Sequence, residues 1–215
     1  MVTLLRLDTS IRTKGSVSRE IADTLERAYL AQRSDGGIVR RDLGTNPIQA
    51  DVWAPAAMAR YTPEQEWTGA TLPALAVARE LADELIAADV VVIATPLYNY
   101  GVSQHLKAWV DMIIADDRFA PRTLPLPGKP VALVVARGGG YRAGAPKEGW
   151  DHATSWIVRI LSEVWGADVT LIDTELTLAD KAPDLLRFQD LAAELRASAH
   201  ELAEKAGKDF GRIAT

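Results

Sequence analysis

The chain has 215 residues and a formal net charge of −5. That is enough for one domain with a full core, and the charge balance offers no basic surface for tracking nucleic-acid phosphates. It contains no cysteine, which excludes disulfides, thiolate-bound zinc, iron–sulfur clusters and thiol catalysis and agrees with a reducing compartment.

The opening MVTLLRLDTS has no basic region ahead of a long apolar stretch. No apolar run approaches the roughly 20 residues that span a bilayer. The expectation is a soluble cytoplasmic protein with no nucleic-acid and no membrane partner. Val2 to Leu7 then reads as a buried strand. Asp8 to Ser18 is rich in hydroxyls and cations, and Arg19 to Gln32 carries Ile21, Leu25, Ala28 and Tyr29 at helical spacing. A strand, a polar loop and a helix N-terminus together make an anion site, because the first N–H groups are unbonded and carry partial positive charge. Ser10, Ser16 and Ser18 add donors without adding charge. Any one of them also suits a helix cap; three in one loop with Lys14 favour a phosphate. The Gly-Lys-Ser/Thr triplet of a P-loop and the GxGxxG of dinucleotide folds are both absent. A monophosphate with a flat headgroup therefore fits better than a nucleoside triphosphate.

Gly36 and Gly37 close this helix. Ile38 to Leu43 is a second strand, more polar and suited to an edge. Asn46-Pro47 turns the chain, and Asp51 to Arg60 predicts a short helix. Thr62-Pro63-Glu64-Gln65 has the cap, proline and glutamine of a helix start, but Gly69 and Pro73 interrupt the next stretch. Leu75 to Ala88 is an amphipathic helix.

Val90 to Ala94 is a β-branched apolar run with no polar alternation, the pattern of a strand buried on both faces. It runs into Thr95-Pro96-Leu97-Tyr98-Asn99-Tyr100-Gly101, two aromatics and an amide between breakers. A helix occupies Ser103 to Ile114, with Leu106, Trp109, Val110 and Ile113 at core spacing. Arg118 to Pro130 is a proline-rich loop. Val131 to Ala136 is a fourth strand, again uniformly apolar, leading into Arg137-Gly138-Gly139-Gly140-Tyr141. Asp151 to Trp165 predicts a helix ended by Gly166, Val169 to Ile172 a fifth strand, and Asp184 to Lys205 a long helix. No repeat or linker divides the chain, so residues 1–215 are expected to form a single domain.

Five strands alternating with helices imply an α/β fold, a doubly wound parallel sheet with helices on both faces. In the order 2-1-3-4-5, the first, third and fourth strands are neighbours. Their three loops then converge beyond the carboxyl ends of the strands, where ligands of such sheets bind. Two readings stay open for several residues there. Tyr98 and Tyr100 flank a flat ligand or fill the core. Asn99 bonds a ligand's polar edge or its own turn. The glycines admit a close ligand or make a plain connection, and Arg137 meets the ligand or an ion-pair partner. His105, His152 and His200 lie on three helices without metal-ligand spacing, and no metal site is expected.

On these residues the chain resembles the FMN-dependent NADH-azoreductase family, also described as quinone reductases, within the flavodoxin-like superfamily. Ser10-Ile11 through Ser16-Val17-Ser18 is similar to the family's phosphate loop. Pro96-Leu97-Tyr98-Asn99-Tyr100 resembles its Pro-Met-Tyr-Asn-Phe element, which packs on the flavin ring. Ala136-Arg137-Gly138-Gly139 resembles its Ser-Arg-Gly-Gly segment, which meets the ring's polar edge. The resemblance implies bound FMN, NADH or NADPH as donor, a ping-pong two-electron reduction of quinones or azo compounds, and a homodimer. It assigns cofactor contacts to Ser10, Ser16, Val17, Ser18, Pro96, Leu97, Tyr98, Asn99, Tyr100, Ala136, Arg137, Gly138 and Gly139, and no catalytic side chain. Phe119, Tyr141 and Trp67 are candidate substrate walls. The stretch from Thr62 to Asp89 is longer than the family pattern by roughly two to three helical turns, and Asp116-Asp117-Arg118-Phe119 keeps only the phenylalanine of a Gly-x-Thr-Phe segment. Other readings are an electron carrier, a flavin-releasing reductase, a specialised biosynthetic reductase, a flavin-binding regulatory module and a phosphodiesterase.

Overall fold

The computed structural model describes residues 2–213. Five parallel strands form one sheet in the order β2-β1-β3-β4-β5. They are β1 (Thr3–Asp8), β2 (Gly37–Asp42), β3 (Val90–Pro96), β4 (Pro130–Ala136) and β5 (Asp168–Thr174). The helices are α1 (Val17–Gln32), α2 (Trp53–Ala59), α3 (Thr71–Ala87), α4 (Gln104–Ile114), α5 (Thr154–Val158) and α6 (Gln189–Gly211). The expected order and the doubly wound α/β flavodoxin-like layout are both present. No helix among the described residues is long and apolar enough to cross a membrane.

Alternation along the central strands builds two cores. Val91, Ile93, Leu133 and Val135 face α3, α4 and α5. Val90, Val92, Ala132 and Val134 face α1 and α6. Full burial of each valine, isoleucine or leucine among them contributes about 1.5–3 kcal/mol, which is why an apolar run without polar interruption settles at the centre of the sheet. β2 and β5 are the edges, and their side chains are largely exposed or half-buried.

Four elements differ from the sequence expectation. The last helix opens as a 3₁₀ turn over Pro183–Phe188 and continues as α6 to Gly211, past the expected end at Lys205. The helix start at Thr62-Pro63 yields only a 3₁₀ turn over Glu64–Glu66. Trp67 goes extended, and its indole N–H turns back to donate to the Thr62 carbonyl at 3.0 Å. Pro73 does not interrupt α3 but sits in its first turn, where a missing N–H costs nothing. The helix before β5 widens into a π-helical stretch over Arg159–Val164, with the Trp165 N–H donating to the Ile160 carbonyl at 3.0 Å. Ile157, Leu161 and Trp165 are all buried. A four-residue spacing drifts about 40° per step at 3.6 residues per turn, and the wider turn removes that drift, holding all three on the core side.

Candidate cofactor site

Three loops leave the carboxyl ends of β1, β3 and β4 and meet. Buried hydroxyls fix the first two. Thr9 Oγ1 lies 2.9 Å from Thr95 Oγ1, and Ser103 Oγ donates to Thr9 Oγ1 at 3.1 Å. The same Ser103 oxygen accepts from the Leu106 N–H and so caps α4. Tyr98 reaches across from the β3 loop. Its hydroxyl accepts from the Ile11 N–H at 3.3 Å and lies 3.4 Å from Ser10 Oγ.

Ser16 occupies the N-cap position of α1 with extended backbone, yet its side chain caps nothing. Its hydroxyl lies 3.3 Å from that of Ser18 instead. The simple capping reading is thus corrected, and α1 starts two residues earlier than its apolar spacing indicates. Its first-turn N–H groups have no intrahelical partner. The first loop is braced from below by Arg19. Its guanidinium grips both Asp42 oxygens at 2.7 Å and donates to the Ser10 carbonyl at 2.7 Å. Burial acts to raise the Asp42 carboxyl, but the Arg19 contact and the Thr45 N–H overcome it and hold the group below the usual carboxylate range.

A cavity of about 390 Å³ opens between these loops, within the ~300–1,000 Å³ range of small-molecule sites. Ser10, Ser16, Val17 and Ser18 line it from β1, Pro96, Leu97 and Tyr98 from β3, and Ala136 and Gly138 from β4. Sequence reasoning missed one wall, formed by Thr177, Leu178, Asp180 and Lys181 after β5 and by Arg196 on α6. Arg12 and Lys181 give this cavity a cationic rim; Arg196 lines it while paired with Glu20 of α1, and Asp180 is the one acidic residue among the lining.

Four predicted contacts sit elsewhere. Asn99 and Tyr100 form the tip of a tight turn, both at positive φ (48° and 65°), closed by the Gly101 N–H on the Tyr98 carbonyl at 2.9 Å. Asn99 is therefore an exposed turn residue that the left-handed region tolerates. The Arg137 guanidinium does not line the cavity; it pairs with Asp151 at 3.2 Å and with Asp173. Gly139 borders an adjacent cavity of about 330 Å³ that runs toward Leu185 and Leu191. The glycine run also meets protein rather than open space. The Arg137, Gly138 and Gly139 carbonyls accept from the Thr177, Leu178 and Leu176 N–H groups, and a Cβ on Gly138 would lie 2.9 Å from Leu178 Cδ1.

Two of the three candidate substrate walls are not at these loops. Phe119 is 1% exposed and packs edge-on against Trp165 at 5.2 Å. Its side chain belongs to the core, where such a pair adds about 0.5–1.5 kcal/mol beyond burial. Trp67 lies between α2 and α3 with its indole spent on Thr62. Tyr141 is at the rim, 6.4 Å from the Tyr100 ring. Burial, with Tyr100 next, pushes its phenol above the ordinary value.

A family profile described as "Flavodoxin-like fold" matches residues 2–199. The chain belongs to this flavodoxin-like family. It is 39% identical over 202 residues to a Frankia casuarinae protein named FMN-dependent NADH:quinone oxidoreductase, covering 93% of this chain and 95% of that one. A Streptomyces avermitilis protein of the same name is 35% identical over 212 residues, 98% and 97% of the two chains. Among solved structures, an azoreductase from Bacillus anthracis str. Sterne superposes with a TM-score of 0.77 at 21% identity, over 97% of this chain and 100% of that one. An FMN-dependent NADH-azoreductase from Bacillus anthracis str. Ames Ancestor, solved in complex with FMN, gives 0.77 at 18% identity, over 99% and 100%. The structural likenesses establish the flavodoxin-like fold, and both sequence relatives carry the name FMN-dependent NADH:quinone oxidoreductase.

Proposed function

We propose that this chain is an FMN-dependent NAD(P)H oxidoreductase that reduces quinones, azo compounds or both. The overall reaction with a quinone is NADH plus a proton plus quinone giving NAD⁺ plus hydroquinone. The observation that carries this reading is the first loop, where two buried hydroxyls and a helix N-terminus face one cavity without being used as caps. The name of the chain's Frankia and Streptomyces relatives, FMN-dependent NADH:quinone oxidoreductase, supports it.

The donor set fits FMN. Ser10, Ser16 and Ser18 would hold the phosphate with the Val17 N–H, aided by the helix dipole and the cationic rim. Pro96, Leu97 and Tyr98 would flank the ring system, with Ala136 and Gly138 on the facing wall; Asn99 and Tyr100 at the turn tip and Gly139 at the adjacent cavity border this space, and Arg137, its main chain and guanidinium both bonded within the protein, would brace the wall. When bound, FMN supplies the two-electron carrier between donor and acceptor. The residues of this chain bind, orient and exclude water; protons exchange with solvent, and no side chain is assigned as acid or base.

Exposed Trp53, Met58, Tyr61 and Leu72 around α2 support a face for a second copy, as expected for a homodimer, and the absence of cysteine suits a cytoplasmic setting. Steady-state kinetics of FMN-loaded protein test the reading. Parallel lines in double-reciprocal plots, NADH varied at several fixed quinone concentrations, are expected for two substrates that alternate at one site. Intersecting lines would overturn the alternation at one site, and no oxidation of either NADH or NADPH would overturn the reductase reading.

A further inference from the structure

Three aromatic side chains cluster at the rim beside the glycine run, and nothing in the cofactor assignment accounts for all of them. Trp150 lies edge-on to Tyr100 at 5.3 Å, and Tyr141 lies 6.4 Å from Tyr100. Trp150 is 51% exposed and Tyr100 38%. Exposed aromatic side chains that cluster beside a ligand site, rather than lying scattered, offer a surface for a planar ligand. Main-chain contacts position two of the three. The tight turn fixes Tyr100, whose carbonyl accepts from the His152 N–H at 2.9 Å, and the Tyr141 N–H donates to Glu175 at 2.5 Å.

Lys147 stands among these rings. Its Nζ is 5.3 Å from the Tyr100 ring centre and 5.9 Å from that of Tyr141. A Cβ on Gly139 would meet the same atom at 3.4 Å, so the ammonium lies against the glycine run. The neighbouring carboxylates are committed elsewhere: Asp151 to Arg137, Glu175 to Arg142, and Glu148 to the Gly144 N–H. Among the described residues Lys147 makes no ion pair. An ammonium over aromatic faces is attracted by the ring quadrupoles, and its N–H donors remain open to an incoming anion.

Resting on the reductase reading above, we propose that Lys147, with Tyr100, Tyr141 and Trp150, makes the site select planar aromatic acceptors bearing an anionic ring substituent such as a sulfonate or carboxylate. A neutral acceptor of the same shape uses the aromatic surface alone. An anionic one also takes a charge-assisted hydrogen bond from Lys147, which at a half-exposed amine favours it roughly fivefold to twentyfold.

The test compares kcat/KM of FMN-loaded protein for 1,2-naphthoquinone and 1,2-naphthoquinone-4-sulfonate. The change in their ratio between variants cancels their unequal intrinsic reactivity. Lys147→Met is expected to lower the sulfonate preference roughly fivefold to twentyfold. Lys147→Glu should lower it further and Lys147→Arg restore most of it. Added salt should reduce the preference in the native chain and leave Lys147→Met unmoved. A ratio that is the same in Lys147→Met as in the native chain would overturn the proposal. Binding of naphthalene-2-sulfonate, which accepts no electrons here, is measured alongside by titration calorimetry on FMN-loaded protein. Weaker binding to Lys147→Met supports the anion contact even if no acceptor turns over, an outcome that would sink the reductase reading alone. Equal binding to both proteins contradicts the contact.

Discussion

The Tyr98 hydroxyl accepts a hydrogen bond from the Ile11 N–H at 3.3 Å, joining the loop after β3 to the loop after β1. One side chain thus registers the proposed ring-binding segment against the proposed phosphate-binding segment. Tyr98→Phe keeps the ring and removes the bridge. FMN affinity is expected to fall about threefold to tenfold, the ~0.5–1.5 kcal/mol of a net hydrogen bond, with little change in Tm because the Ile11 N–H can turn to water. A fluorescence-quenching titration with FMN measures it, and an unchanged Kd would show that the bridge does not position the loops.

Packing beneath the first loop leaves no room at Gly44. A Cβ there would overlap the Ser10 carbonyl oxygen, the atom that Arg19 also holds. Gly44→Ala is expected to destabilise the protein by about 3 kcal/mol, the upper range for overpacking, because backbone rather than a flexible side chain must move. Chemical denaturation reports the loss. A cost below about 1 kcal/mol would mean the two loops are not locked together.

Leu178 covers Gly138, and the pair makes a double-mutant cycle. Gly138→Ala forces a contact at 2.9 Å and is expected to cost about 1–3 kcal/mol. With Leu178→Ala also present, most of that cost should disappear, leaving a coupling energy of at least about 0.5 kcal/mol. Additive losses would place the strain elsewhere.

The β3 turn separates backbone from side-chain roles at Asn99. Its φ of 48° lies in a region that asparagine tolerates and glycine enters freely. In Asn99→Gly the easier backbone offsets the added unfolded-state entropy, so apo stability is expected to change by less than about 1 kcal/mol, while FMN binding weakens. Thermal melts of the apo protein and FMN titrations separate the two effects. A clear loss of apo stability would show that the Asn99 side chain supports the turn.

Acid should unfold the protein through its depressed carboxyls. Burial works against Asp151, but the Thr154 hydroxyl and N–H, the Ala153 N–H and Arg137 outweigh it and keep the group low; Asp42 is held low by Arg19. A carboxyl whose folded pKa is depressed contributes stability that is complete above its unfolded value, about 3.9, and lost as pH falls through the folded value. Urea midpoints are expected to drop from about pH 4 downward, less steeply in Asp42→Asn. Stability that rose on acidification through this window would reverse the assignment.

Much of the architecture was legible because burial on both faces writes itself plainly into β3 and β4. Three buried strands and two more polar edge strands, separated by helical spacing, leave few other folds, and the convergence of the β1, β3 and β4 loops is a consequence of the strand order. The wall from Thr177 to Lys181 was not legible. β3 and β4 stand between β5 and β1, and the loop after β5 reaches the cavity only by pairing along the glycine run, a long-range contact that periodicity does not encode. Arg137 and Phe119 show the same limit from the other side. Their residue types and places in the loops suited the ligand, and only three dimensions show one spent on Asp151 and Asp173 and the other in the Trp165 cluster. Ser16 is the converse case, a serine at a helix start whose hydroxyl turns out not to cap.

The most direct measurement is the anaerobic visible spectrum of protein reconstituted with FMN and desalted, recorded before and after NADH and again after a simple quinone. The flavin band should survive desalting, bleach with NADH and return with quinone. A band lost on desalting would contradict the assigned cofactor site, and a retained band that neither NADH nor NADPH bleaches would contradict the reductase.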